Sequence, residues 1–423
     1  MTASADRNEV DVVVIGGGPA GATLATLLQK QQHRCVILES AKFPRYHIGE
    51  SLIPHTYGTL DRLGLLPQLQ ESAFRVKHSV RFVSPTGSDT APFYFSETIS
   101  GDRAHTWQVE RSEFDRMCLD NAMAAEVDVR MPARVREVLF EDGRAVGVLA
   151  EDSTGEPYEI RSKVVVDASG RVSVIGSQLG LKENVPGLNK ASIWSYYRGG
   201  KLRDGIDRGE TTVFMIPEQG WFWYIPLPDD TVSVGVVADP DYLFDETNKF
   251  DHVLQREVER CTPLADCLAN ADQITEPLGL KRLAYYNRQL AGEGWVMVGD
   301  AAGFLDPIYS SGLHLALASG ELAAGCVHDA VTHNDPSAER LGAFAGPLWQ
   351  GIEVIRRLIY AFYDPTFSFQ KFSEQYPEQR GALIDCLVGD VVDRDLSAFL
   401  NCLSDMSPPP EPLFPEHSAI PAS

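Results

Sequence analysis

The 423-residue sequence predicts an α/β fold: a βαβ core assembled from discontinuous segments, an inserted antiparallel sheet and a helical C-terminal region. Three observations predict it. A β-branched run, Asp11 to Ile15 (DVVVI), leads into a glycine cluster and then a helical stretch. Apolar strands ending at small-residue turns recur far along the chain, as parallel strands buried on both faces do. Between them lie short strand-like runs broken by Gly, Pro and Asp.

Taken in order, Pro19 to about Lys30 reads as a helix, and Cys35 to Glu39 closes the βαβ unit. Lys163 to Asp167 (KVVVD) and Trp295 to Val298 (WVMV) fit the same parallel sheet. The inserted sheet takes Ser79 to Val83, Ala104 to Val109, Ser192 to Arg198, Thr211 to Ile216, Trp221 to Pro226 and Thr231 to Val237. From about Ala302 the chain is mostly helical, and Ser407 to Pro415 (SPPPEPLFP) is expected to be extended and mobile. The expected division is a nucleotide-type domain at 1–75, 106–185 and 290–330, a β-sheet substrate domain at 76–105 and 186–289, and a helical region with a proline-rich tail at 331–423. A chain of this length exceeds one core of usual size.

Composition excludes some classes of partner. Hydrophobic residues make up 44%, as in globular enzymes, and 37 basic against 59 acidic residues leave a net charge of -22. That charge opposes nucleic acid and anionic membrane surfaces. No apolar run reaches the roughly 20 residues of a membrane span, and Met1 to Asn8 is polar, so a cytoplasmic location is expected. Seven scattered cysteines without C-x-x-C and ten dispersed histidines without ligand spacing point to packed thiols and no metal.

Gly16, Gly18 and Gly21 form G-x-G-x-x-G directly after a strand, and Glu39 closes the next strand. Glycine lets the backbone turn tightly and approach a pyrophosphate, which the amides of the helix beginning at Pro19 and Ala20 then meet. Glu39 is placed to accept from a ribose hydroxyl. On these residues alone the cofactor is NAD or FAD. Later segments decide: VERSEFD with Arg111, VVVDASG with Asp167, and VGDAAGFLD with Asp300 and Gly303 resemble, in that order along the chain, the signatures of FAD-dependent monooxygenases. The resemblance implies a Rossmann-like FAD-binding domain. No second glycine fingerprint follows, so reduced flavin is expected from a separate flavin reductase.

Further motifs resemble the flavin-dependent halogenases over roughly residues 10 to 375. GWFWYIP carries that family's W-x-W-x-I-P at Trp221, Trp223, Ile225 and Pro226, with both indoles on one strand face. FLDPIYSSG matches F-x-x-P-x-x-S-x-G at Phe304, Pro307, Ser310 and Gly312, just before a helix predicted from Leu313 to about Val331. Amides at Ser311 and Gly312 then offer a halide site beside Pro307 and Ser310. Lys77 in FRVKH stands where the family places its essential lysine. FPRYHIGESL resembles the stretch leading to it and contributes Arg45, Gly49, Glu50 and Ser51 near the flavin.

The resemblance implies that reduced FAD, oxygen and chloride or bromide yield hypohalous acid. Lys77 would hydrogen-bond this species or become a haloamine, and the tryptophans would keep the organic substrate from the flavin. Tryptophan halogenases carry glutamate where this chain has Tyr309. They also carry a large C-terminal elaboration that this shorter chain is expected to lack. A small electron-rich aromatic follows, a phenol or pyrrole, either free or presented by an acyl-carrier protein. Two other readings stay open: an FAD-dependent aromatic hydroxylase, against which the tryptophan pair counts, and a geranylgeranyl-reductase-like oxidoreductase, whose Y-x-W-x-F-P motif is absent. The aromatic run Phe362 to Phe372 reads either as cavity lining or as a packing stripe.

Overall fold

A computed structural model describes residues 8–216, 220–244, 249–392 and 394–414. Met1 to Arg7 and the end of the proline-rich tail from Pro415 lie outside the described residues. The β-branched strand Glu9–Ile15 pairs in parallel with Cys35–Leu38 on one side and Pro157–Asp167 on the other. The latter pairs in parallel with Trp295–Met297, and Cys35–Leu38 with Asp128–Arg130. Val12, Val13 and Val14 are wholly buried, so both faces of this parallel strand are covered, as parallel sheets require. In register, Ile15 faces Leu38 and Asp167, so the strands end together. That shared C-terminal edge is where α/β sheets bind ligands.

A second sheet runs Asp272–Gln273, Ala191–Arg198, Thr231–Ala238, Gly220–Pro226, Thr211–Ile216, Ser79–Val83 and Phe93–Tyr94. Period-two alternation divides its residues between two cores. Trp221, Trp223 and Ile225 pack in the large core shared with the parallel sheet, while Phe222 and Tyr224 pack in a separate core with Leu254 and Leu264. The tryptophans therefore face the cofactor side of the molecule.

Three expectations change. The strand expected at Ala104 to Val109 is Thr106–Gln108, and it leaves the large sheet to pair with Arg75–Lys77 as a two-stranded ribbon. An unexpected hairpin, Arg134–Glu141 with Arg144–Glu151, extends the first sheet through the N-terminal half of Pro157–Asp167. Its charged outer face hides the apolar alternation in the sequence. The tail is docked as far as Phe414: Arg356 donates to the Glu411 carbonyl at 2.6 Å, and the Phe414 ring lies 4.0 Å from Trp349. Elsewhere the predicted strands and the long helix, here Ser311–Thr332, are present within two residues, except that Lys163 to Asp167 is the C-terminal part of the longer strand Pro157–Asp167. Among the described residues, no helix is long and apolar enough to cross a membrane.

Candidate active site

A cavity of about 760 Å³ opens along the C-terminal edge of the parallel sheet and reaches the second sheet. Its size is that of a cofactor or substrate site. Gly16, Gly18, Pro19, Ala20 and Glu39 line one end. Gly16 holds φ +103°, and a Cβ there would lie 2.5 Å from the Ala168 carbonyl oxygen, so only glycine fits the turn. Gly18 caps the helix Pro19–Lys30 without any side-chain hydrogen bond, which leaves the helix's first amides for a ligand. The Glu39 carboxylate accepts from the Gly17 amide at 2.8 Å and the Ala41 amide at 2.7 Å, and keeps spare lone pairs at the cavity wall. The cradle that a side chain would fill, the open helix start and the acidic acceptor together fit a dinucleotide such as FAD.

Beside this end, Arg111 is buried and bonds both oxygens of Asp115, at 2.8 and 3.0 Å, while also donating to the Ile48 and Gly49 carbonyls. Arg45 pairs with the same carboxylate at 3.2 Å. One buried aspartate thus holds two cavity arginines and ties down the loop of Gly49 and Glu50. Burial raises the Glu50 carboxyl above its ordinary range, and Tyr196 donates to it at 2.6 Å. Burial beside Arg111 pushes His47, another wall residue, down to about 4. Asp300 lines the wall and is likewise raised by burial, against the pull of Arg111, Arg171 and Lys182.

Trp221 and Trp223 both line the cavity, their ring centroids 6.2 Å apart. Trp223 donates to Ser233 at 3.0 Å and lies over Gly235, where a Cβ would overlap its indole carbons. Pro307, Ser310 and Gly312 line the same cavity at the start of the helix Ser311–Thr332. Ser310 is in the left-handed region and makes no side-chain cap, so the helix start keeps its amides.

Lys77 is 0% exposed. Its Nζ donates to Ser51 Oγ at 2.8 Å and the Leu52 carbonyl at 3.2 Å, and burial pushes it down to about 7. Ser51 and Thr211, whose hydroxyls are 3.1 Å apart, are themselves cavity residues. The amine therefore stands one hydroxyl behind the wall. Gln108 donates to Thr211 Oγ1 at 2.8 Å and the Gly209 carbonyl at 3.0 Å, leaving its Oε1 buried without a partner among the described residues, as is the Thr106 hydroxyl.

Four other residues singled out in the sequence stand off this wall. Asp167 is buried and accepts from the Ser169 and Ile175 amides, so it shapes the strand end instead of facing the cavity. Gly21 packs inside the turn, where a Cβ would strike the Gly16 carbonyl. Gly303 and Ser311 line a neighbouring pocket of about 30 Å³. The run Phe362 to Phe372 does not line the large cavity: Phe362 packs among Phe82, Trp221, Tyr309 and Tyr363. Tyr309 turns away as well, its hydroxyl donating to the Leu358 carbonyl at 3.0 Å. Sequence reading missed Asp115, although its i,i+4 spacing from Arg111 is a usable signal. It also missed Gln108, Thr211, Asp306 and Tyr363, whose roles depend on contacts distant in sequence.

A family model for an FAD-binding domain matches residues 9–320. A 1H-pyrrole-2-carbonyl-(peptidyl-carrier protein) chlorinase of Pseudomonas fluorescens is 31% identical over 91% of this chain and 90% of its own. The corresponding brominase of Pseudoalteromonas luteoviolacea is 31% identical over 90% of this chain and 92% of its own. A solved flavin-dependent brominase superposes with a TM-score of 0.84 at 27% identity, covering 94% of this chain and 98% of the other. With identity of this order along nearly the whole length, the chain belongs to the flavin-dependent halogenases and takes FAD as its cofactor.

Proposed function

We propose that this halogenase installs chlorine or bromine on a pyrrole carried as a thioester on a peptidyl-carrier protein, with Lys77 delivering the oxidised halogen. The single observation that carries the Lys77 role is its amine, wholly buried and held by a hydroxyl of the cavity wall. The substrate class draws support from the pyrrole-carrier chlorinase and brominase that the chain resembles over nine-tenths of its length. Tyr309 in place of a carboxylate favours a ring that supplies its own electrons, and a phenol is the second substrate class of that kind.

When bound, reduced FAD would supply the two electrons that activate oxygen to oxidise a halide ion to hypohalous acid, with water as the other product. Gly16, Gly18, Pro19, Ala20, Glu39, Arg45, Gly49, Glu50, Arg111 and Asp300 would hold the cofactor. The amide at Gly312, beside Pro307 and Ser310, would hold the halide, and Ser311, which faces the neighbouring pocket, is left out of that site. Trp221 and Trp223 would bar the organic substrate from this chamber. Lys77, brought near neutrality by burial, can donate to the oxygen of hypohalous acid or attack its halogen as the free amine. A separate flavin reductase, a cytoplasmic location and the three-part division at 1–75, 106–185 and 290–330, 76–105 and 186–289, and 331–423 belong to the same proposal.

The test supplies reduced FAD, oxygen and bromide with a pyrrole-2-carbonyl carrier thioester and a phenol panel, read by mass spectrometry. Bromination by wild type is expected to fall by about a thousandfold in Lys77→Ala, the middle of the range for losing an acid–base group, with FAD affinity kept. Hydroxylated product without bromine would instead establish a hydroxylase.

A further inference from the structure

One hydroxyl connects three separate elements at the cavity. Tyr363, the last residue of the helix Ala345–Tyr363, accepts from Trp221 Nε1 at 2.9 Å and donates to Asp306 Oδ2 at 2.9 Å. Asp306 lies in the loop before the helix Ser311–Thr332, and its other oxygen accepts from the Ile308 amide at 3.0 Å. Trp221 and Asp306 are buried and Tyr363 is partly buried, and Trp221, Pro307 and Ile308 line the cavity. Phe362 meets the Trp221 ring edge-on at 6.3 Å and 89°, so the indole is held by packing on one side and by the hydroxyl on the other. Lys190 lies 4.2 Å over the Tyr363 ring and keeps its own ion pair with Asp239. One partner would satisfy a tyrosine placed only to fill the core, whereas this hydroxyl uses both its acceptor and its donor to join an indole to a carboxylate.

We propose that Tyr363 and Asp306 are positioning residues for halogenation: the Tyr363 hydroxyl clamps the Trp221 indole to the Asp306 loop and so fixes the spacing of two cavity walls. The proposal rests on the reading that those walls border the route of the oxidised halide. Loosening the clamp lets oxidant leave without meeting the substrate.

The full-length Tyr363→Phe variant tests it. Tryptophan emission of the flavin-free protein is expected to shift, and the shift is expected to vanish in a Trp221→Phe background. Halogenated product per reduced flavin oxidised falls by about tenfold, the effect of losing one or two buried hydrogen bonds, and hypohalous acid lost to solution, trapped by halogenation of an added 1,3-diketone, accounts for the remainder. Asp306→Asn, which keeps an acceptor for the hydroxyl, retains most of the yield, and Asp306→Ala loses it. This pair carries the test if Tyr363→Phe melts too low to assay. Unchanged emission and yield in Tyr363→Phe, beside a wild type that halogenates, would overturn the proposal. A wild type that halogenates nothing would fail the parent reading instead, and an emission shift that persists without Trp221 would then reject the clamp.

Discussion

Gly16 and Lys77 serve ends of one cavity that are built by opposite means. At Gly16 the wall is backbone: a left-handed turn, an open helix start, and amides that need no side chain to bind phosphate. At Lys77 the surroundings are side chains, a buried amine held by Ser51 with Thr211 and Gln108 beyond it. Backbone sites tolerate changes of chemistry but not of shape. Side-chain sites behave the other way, since their cost lies in desolvating charge and their function in the same charge.

The largest effect that sharpens this contrast is expected at the glycine end. Gly16→Val forces a β-branched residue to φ +103° against the Ala168 carbonyl. FAD affinity, read by flavin fluorescence quenching, is expected to fall by roughly a hundredfold, and unfolding to become easier by about 2–4 kcal/mol from backbone strain and overlap. Retained affinity would mean that the turn relaxes, and the end would lose its claim to depend on shape.

The two ends were also unequally legible in the sequence. The glycine triplet, the strands on either side and Glu39 are neighbours in the chain, and their spacing reports a local mechanical need. Lys77 was found by its resemblance to a family position, because a lone lysine carries no local signal; its burial depends on Ser51, 26 residues earlier, and on a ribbon partner, Thr106. The two-stranded ribbon was misplaced for the same reason: alternation reveals a strand but not which strand it joins. Asp306 stood inside a motif that was read for its serine and glycine, and its partner Tyr363 lies 57 residues on. Trp221 and Trp223 were legible as a pair on one face, whereas the small residue that lets Trp223 lie flat, Gly235, sits on the next strand in register with it.

A pH-dependent effect on stability is expected from Lys77→Met, which keeps the volume and removes the charge. Burial lowers the amine from 10.5 to about 7, so between those values the unfolded chain binds a proton that the folded chain does not. Wild-type stability therefore rises with pH through that window, by about 1.4 kcal/mol per unit for one proton, and is flat below it. The inactive methionine variant should melt above wild type at pH 7, with the gap closing as pH rises toward 10. A gap independent of pH would show that the amine is not desolvated in solution.

The smallest expected effect decides to which end Ser51 belongs. Its sequence context groups it with Gly49 and Glu50 near the flavin, yet its hydroxyl is a principal partner of the Lys77 amine. Removing an acceptor disfavours the ammonium form, so Ser51→Ala should move Lys77 titration further down, by less than about one unit for a hydrogen bond of roughly 1 kcal/mol. Carbon-13 labelling of the lysine side chains reads that titration from the Lys77 Cε signal in nuclear magnetic resonance, assigned by its absence in Lys77→Met. A change in FAD affinity with Lys77 titration unmoved would assign the hydroxyl to the cofactor. A moved titration at constant affinity would make Ser51 the hinge between the two chemistries, a side chain whose location on the cavity wall gives the buried amine its one short path to the chamber.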